Sequence, residues 1–243
     1  MFRTLFIACR ILWLMLRKQV EYFFRVNVRR QRPETFMTGW VKFFTDFIME
    51  KTRTDLRVSG RNYLSILPRD RPIVAVSNHE SYLDIPSIIA ALERPVGFIA
   101  KKELSRIPLL GFWIRVLGGY LMDRADLRSS LETITRGVKA GPGKMLLIFP
   151  EGTRNKASTV APFKPGSLRL AFENKAVILP LCVCGGRRKF EGNGHRIRQG
   201  IIHVEILPPV DTGGTPVQEK RRLAGELHGS ILRVYERIAP LSA

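Results

Sequence analysis

Two hundred and forty-three residues, 45% hydrophobic and 25% charged, can bury a substantial core, and ordinary numbers of Gly (20) and Pro (15) exclude collagen-like, low-complexity and disordered chains. Three cysteines are too few for a disulfide framework, which a chain of this length does not need. Forty Lys and Arg against twenty-one Asp and Glu leave a net charge of +19, beyond what solubility requires, and point to a polyanionic partner: nucleic acid, an anionic membrane surface, or an acidic or phosphorylated substrate.

The placement of the basic residues separates these partners. Residues 1–16 (MFRTLFIACRILWLML) are almost wholly apolar, and Arg3, Arg10 and Arg17 recur every seven residues. On a helix these arginines fall within about 40° of one another, a narrow cationic stripe on an apolar cylinder. The run is shorter than the roughly 20 apolar residues of a membrane span, and Arg10 interrupts it. No small-residue cleavage site follows, which argues against a cleaved signal peptide. A basic connector with Arg25, Arg29, Arg30, Arg32 and Pro33 leads to Phe36, Trp40, Phe43, Phe44, Phe47 and Ile48, which share one helical face. Spacing alone leaves core packing and interfacial seating equally open. The cationic apolar helix and the basic connector favour a two-helix motif over residues 1–52 that lies in one leaflet, arginines at the phosphates.

From about residue 55 short apolar runs alternate with helical stretches. Residues 73–77 (IVAVS), 96–100, 144–149, 176–184 and 201–207 read as strands. Residues 84–93, 108–117, 126–140, 167–174 and 217–238 read as helices. The pattern predicts an α/β domain over residues 53–243, with a central sheet, largely parallel or mixed, flanked by helices. Strand order is not legible.

The candidate chemistry sits where strands end. Asn78-His79-Glu80-Ser81-Tyr82-Leu83-Asp84-Ile85-Pro86 follows the 73–77 strand directly, at the position where open α/β sheets place ligands. On a continuous helix His79 and Asp84 would lie about 140° apart, so contact requires a turn between them; Pro86, tolerated only early in a helix, supplies the break. A carboxylate on one imidazole nitrogen fixes the tautomer and leaves the other as a base. After the 144–149 strand comes Pro150-Glu151-Gly152-Thr153-Arg154: Gly152 permits a tight turn, and Thr153 and Arg154 offer a hydroxyl and a forked cation suited to phosphate. Lys101 and Arg124 are further cations at strand ends, each a surface charge by default. Nucleophile and metal alternatives are poor. There is no G-x-S-x-G, Cys182 and Cys184 alternate within an apolar strand, and no second cysteine pair accompanies them.

N-H-E-S-Y-L-D, G-Y-L-M-D-R, F-P-E-G-T-R and A-V-I-L-P-L, in this order, resemble the four motifs of the glycerolipid acyltransferase family, most like its bacterial-type 1-acyl-sn-glycerol-3-phosphate acyltransferases. The resemblance spans residues 55–210, and residues 100–108 and 162–166 match secondary patterns of the family. His-x-x-x-x-Asp alone is a weak signal; joined to F-P-E-G-T-R some seventy residues later it is strong. The resemblance implies that His79 is the general base and Asp84 its orienting partner. It places Glu151, Gly152, Thr153 and Arg154 in the acceptor site, with Lys101 and Arg124 helping to hold its phosphate.

The reaction so implied is acyl transfer from acyl-carrier protein or acyl-CoA to the sn-2 hydroxyl of lysophosphatidic acid, giving phosphatidic acid without cofactor or metal. The expected setting is an anionic phospholipid surface at the cytoplasmic face of the cell membrane, with peripheral, monotopic attachment. Two rivals stand beside it: the same chemistry on another lysolipid, such as a lyso-ornithine lipid, and a non-catalytic basic module binding membrane or nucleic acid. Against nucleic acid, the basic clusters adjoin apolar helices and the aromatics form no exposed stacking ladder.

Overall fold

A computed structural model describes residues 2–107, 109–123, 125–139, 141 and 143–242; Met1, Pro108, Arg124, Ala140, Pro142 and Ala243 lie outside the described residues. Helix α1 (Phe2–Phe23) continues into a π-helical turn (Phe24–Val28), and α2 (Pro33–Thr52) starts on a proline in its first turn and ends on Arg53 in the left-handed conformation. Among the described residues eight strands follow: β1 (Thr54–Ser59), β2 (Ile73–Ser77), β3 (Gly97–Lys101), β4 (Tyr120–Met122), β5 (Met145–Ile148), β6 (Val177–Cys184), β7 (Gly200–Ile206) and β8 (Val210–Asp211). Interleaved with them are α3 (Asp84–Leu92), α4 (Leu110–Val116), α5 (Leu127–Lys139), α6 (Arg169–Glu173), α7 (Gly186–Lys189) and α8 (Val217–Ile238).

The sheet order is β1-β7-β6-β2-β5-β3-β4, with β8 on β6. Strands β6, β2, β5, β3 and β4 run parallel, while β7 is antiparallel to β6 and carries β1 parallel to itself. The sheet is therefore mixed, and the carboxyl ends of β2, β3, β4, β5 and β6 share one edge with the amino ends of β7 and β1.

Helices cover both faces, which explains the unbroken apolar runs. Along β2, Ile73 and Ala75 join a core shared with α1–α4, while Val74 and Val76 join one shared with α5, α6 and α8. The aromatic face of α2 packs inward: Phe36, Met37, Trp40 and Val41 are buried in the first core, and Trp40 lies 5.1 Å from the Trp113 ring. Core packing thus accounts for that stripe, with Phe43 left outside.

Helix α1 behaves differently. Ile7, Leu14 and Met15 face the core, whereas Phe2, Leu5, Phe6, Leu12, Trp13, Leu16, Val20 and Phe23 are exposed. Among the described residues, no helix is long and apolar enough to cross a membrane. The end of α7 and the segment that leads from it to β7 clip both helices to the domain. The fully buried Lys189 donates from Nζ to the carbonyls of Thr52 (3.3 Å), Arg53 (3.3 Å) and Arg198 (2.7 Å), and Ile197 N–H reaches Thr4 Oγ1 (3.1 Å).

Candidate active site

The chain leaves β2 through Asn78, whose side-chain amide pairs both ways with the Val183 backbone (2.8 and 2.9 Å) and fixes the start of the turn to β6. Residues 80–83 then turn before α3 begins at Asp84, which brings Asp84 Oδ2 to 2.8 Å from His79 Nδ1. The same oxygen accepts the Glu80 N–H (2.7 Å) and the Ser81 N–H (2.8 Å). Two backbone N–H donors on that oxygen suit a carboxylate and not a hydroxyl, so the network assigns the shared proton to Nδ1 and leaves Nε2 as a lone-pair base. Among the described residues, no protein group bonds Nε2.

Burial opposes charge throughout this pair. It pushes His79 down to about 4, reinforced by the Arg154 guanidinium. It pushes the Asp84 carboxyl upward, and the N–H bonds from Ser81 and Glu80 pull it back. Among the described residues Asp84 Oδ1 is buried without a hydrogen-bond partner, and Gly186 packs beside it. A Cβ on Gly186 would lie 3.0 Å from that oxygen and 2.8 Å from Ser81 Cβ, so only glycine fits there without a shift.

The segment after β5 holds His79 from the other side. The Phe149 ring stacks on the imidazole with centroids 3.9 Å apart. Buried Glu151 accepts the His79 N–H (2.7 Å) and the Ala161 N–H (3.1 Å), and Asn155 N–H reaches the His79 carbonyl (2.7 Å). Burial pushes the Glu151 carboxyl up to about 7 against these bonds. Both Glu151 oxygens are thus engaged by the protein's own backbone, a clamp on the histidine. Gly152 turns with φ +71°, and the Lys164 side chain lies 3.0 Å from where its Cβ would be. Thr153 is exposed on this turn.

The guanidinium of Arg154 lies 3.6 Å over the Tyr82 ring and donates to Glu191 Oε1 (3.3 Å). His79, Asp84, Glu151 and Arg154 therefore form one connected group. Lys101 ends β3 at the same sheet edge, exposed, and no hydrogen bond links it to the histidine turn among the described residues. Arg124 lies outside the described residues. Cys182 and Cys184 are free and buried, and burial raises both thiols, Cys184 to about 11.

Sequence reasoning missed three participants. Glu80 accepts the Gly185 and Arg187 N–H groups and the Tyr235 hydroxyl, tying the turn to α7 and α8. Lys164 was passed over inside Pro162-Phe-Lys-Pro-Gly166. Glu191 stood as the one acid in the basic run of residues 185–200.

A family model described as Acyltransferase matches residues 55–184. The chain is 30% identical over 162 residues to the 1-acyl-sn-glycerol-3-phosphate acyltransferase of Saccharomyces cerevisiae, covering 65% of this chain and 52% of the relative. It is 31% identical over 153 residues to that of Salmonella typhimurium, covering 62% of each. The chain thus spans about half to three fifths of these relatives' length. The crystal structure of the 1-acyl-sn-glycerophosphate (LPA) acyltransferase from Thermotoga maritima superposes with a TM-score of 0.85 at 25% identity, covering 98% of this chain and 95% of that one.

Proposed function

The chain belongs to the acyltransferase family, and on that premise we propose that it transfers a fatty acyl chain from acyl-carrier protein or acyl-CoA to the sn-2 hydroxyl of 1-acyl-sn-glycerol 3-phosphate, giving phosphatidic acid. The observation that carries the reading is the His79–Asp84 bond of 2.8 Å, with Nε2 free at the carboxyl edge of the sheet beside the Arg154 cation. The names of the similar proteins support the acceptor.

His79 Nε2 takes the proton of the sn-2 hydroxyl as the oxygen attacks the thioester carbonyl. The new C–O bond forms, the C–S bond breaks, and the departing thiolate receives the proton from the imidazolium. Asp84 stabilises that imidazolium without leaving its three N–H donors. General-base help of this kind is worth about 10²–10⁴ in rate, and positioning of two substrates adds to it. No acyl-enzyme is needed. Arg154 holds the acceptor phosphate, with Lys101 at the sheet edge and Arg124 assisting. Gly152 and Thr153 shape the turn that receives the phosphate, and Glu151 serves it from behind by fixing His79.

The acceptor is a membrane lipid, and α1 supplies the seat. Its outer face of Leu5, Phe6, Leu12, Trp13, Leu16, Val20 and Phe23 enters one leaflet without crossing it, with Arg3, Arg10 and Arg17 alongside at the anionic headgroups. The soluble donors put this seat at the cytoplasmic face of the membrane.

The test is a thioester-release assay on the purified chain, scanning lysolipid acceptors with both donors. We expect release that depends on lysophosphatidate and on His79. Because His79 and Asp84 act as one unit, His79→Ala and Asp84→Ala should each abolish turnover and the double variant should lose no more. Release that survives His79→Ala, or that prefers a lysolipid without phosphate, rules this reading out.

A further inference from the structure

We propose that Glu191 is a positioning residue for the transfer: one buried carboxylate sets the register between the His79–Asp84 turn and the Arg154 guanidinium. The inference rests on the acyl-transfer reading above. Its basis is geometric. Glu191 Oε2 accepts the Ser81 hydroxyl (2.7 Å), and Oε1 accepts both the Tyr82 N–H (2.7 Å) and the Arg154 guanidinium (3.3 Å). Ser81 and Tyr82 are the middle of the turn that folds Asp84 back onto His79, and Ser81 N–H is itself one of the three donors on Asp84 Oδ2. The Glu191 side chain is only 7% exposed, so these bonds are weakly screened.

Electrostatics shows why an acid belongs there. Residues 185–200 carry Arg187, Arg188, Lys189, Arg196 and Arg198 against this single carboxylate. Among the described residues none of the five forms an ion pair with Glu191. Its charge goes instead to Arg154, on a segment 37 residues earlier in the chain. The Tyr82 ring lies under that guanidinium at 3.6 Å, so the turn and the cation touch through Tyr82 and are joined through Glu191. An acceptor phosphate held by Arg154 then finds its hydroxyl at a distance from Nε2 that Glu191 has fixed. Misplacement by about 1 Å is enough to cost about 10²-fold in rate.

Lys189, two residues earlier, anchors the segment to the end of α2, so Glu191 is delivered from a fixed base. The geometry separates two contributions. Glu191→Gln keeps an oxygen for the Tyr82 N–H, turns the Ser81 bond round so that the amide donates to the hydroxyl oxygen, and removes the charge that Arg154 sees. Glu191→Ala releases the turn as well.

In the full chain with lysophosphatidate vesicles, Glu191→Gln should lower acceptor kcat/KM about tenfold, leave donor KM unchanged, and lower it no further in an Arg154→Ala background. Glu191→Ala should lower kcat about 10²-fold in either background. It should also shift the low-field imidazole proton of His79 seen by NMR, a signal identified by its loss in His79→Ala. Glu191→Gln should leave that signal in place. A merely structural role predicts parallel losses in melting temperature and activity, equal for donor and acceptor. Wild-type rates in Glu191→Gln, a Glu191→Gln effect that multiplies with that of Arg154→Ala, or an unmoved proton signal in Glu191→Ala overturns the assignment. A wild-type chain that transfers no acyl group overturns the functional reading instead, and the NMR arm still decides whether Glu191 holds the turn.

Discussion

A half-buried imidazole between a guanidinium and several carboxylates is poised by their balance, and Arg154 is the member whose removal has an unambiguous sign. Its positive charge lowers the pKa of His79 and of Asp84 alike, so the effect does not depend on which partner holds the dyad's proton. The base form is lost as pH falls, because the pair takes up a proton. Arg154→Gln should therefore move the acid limb of kcat/KM to higher pH and, on the phosphate contact proposed for it, raise the acceptor KM about tenfold or more. An acid limb that stays put or moves lower contradicts the arrangement; a pH–rate series on the two proteins decides. The same residues mark how far a sequence reveals a site. The His79–Asp84 pair was legible because its five-residue spacing, with Pro86 just beyond, admits only a turn. The bend that carries Arg154 was legible because Gly152, two residues before it, signals a tight turn at a strand end. Glu191 was not: its partners lie 110 residues away at Ser81 and 37 away at Arg154, and a lone acid among arginines reads as a solvated charge.

At the scale of elements, the buried ammonium of Lys189 holds α2 to the catalytic layer by serving three carbonyls. Burial lowers its pKa to about 8, assisted by Arg198 and Arg3, so it is held as a donor in an environment that resists its charge. Lys189→Ala removes three hydrogen bonds, one to a buried carbonyl and two to half-buried ones. At about 1 kcal/mol each the loss is about 3 kcal/mol, a fall in Tm of about 6–12 °C for a chain of this size. Calorimetry on the two proteins measures it, and a Tm within about 2 °C of wild type means that the clip is dispensable. The strands that the sequence revealed were those with unbroken β-branched runs, such as Ile73–Ser77, since both faces are covered and periodicity is simple. Strand β1 was missed because its residues alternate half-buried and exposed at the edge of the sheet, with charges at Asp55 and Arg57. The three-residue β4 and two-residue β8 are too short to carry a period. Strand order depends on pairings across the whole chain, such as Thr54 with Gly200, which no local pattern encodes.

For the whole molecule, the two N-terminal helices divide the work that their sequences seemed to share. Helix α2 closes the core, with Trp40 against Trp113 and Phe36 near Tyr22, so deleting residues 1–52 strips cover from the first core and is the wrong test of membrane seating. Point substitutions on the outer face of α1 leave that core intact. Leu5, Leu12 and Leu16 are 62%, 46% and 52% exposed and make little use of the fold. Converting all three to Ser removes about 3 kcal/mol of burial in lipid, about a hundredfold in partition onto anionic vesicles. Melting temperature and turnover on detergent-dispersed acceptor should hold. High salt should weaken wild-type binding further, since each basic residue near the surface contributes about 1 kcal/mol that ions screen, without abolishing the apolar part. Depth comes from fluorescence. Trp13 is 60% exposed on the outer face while Trp40 is 6% exposed. Vesicle binding should therefore blue-shift the signal that Trp13→Phe removes, and shallow nitroxide quenchers should suppress it more than deep ones. Strongest quenching at the bilayer midplane, or from the far leaflet, would mean that α1 inserts across the membrane, and the one-leaflet seat would have to be abandoned.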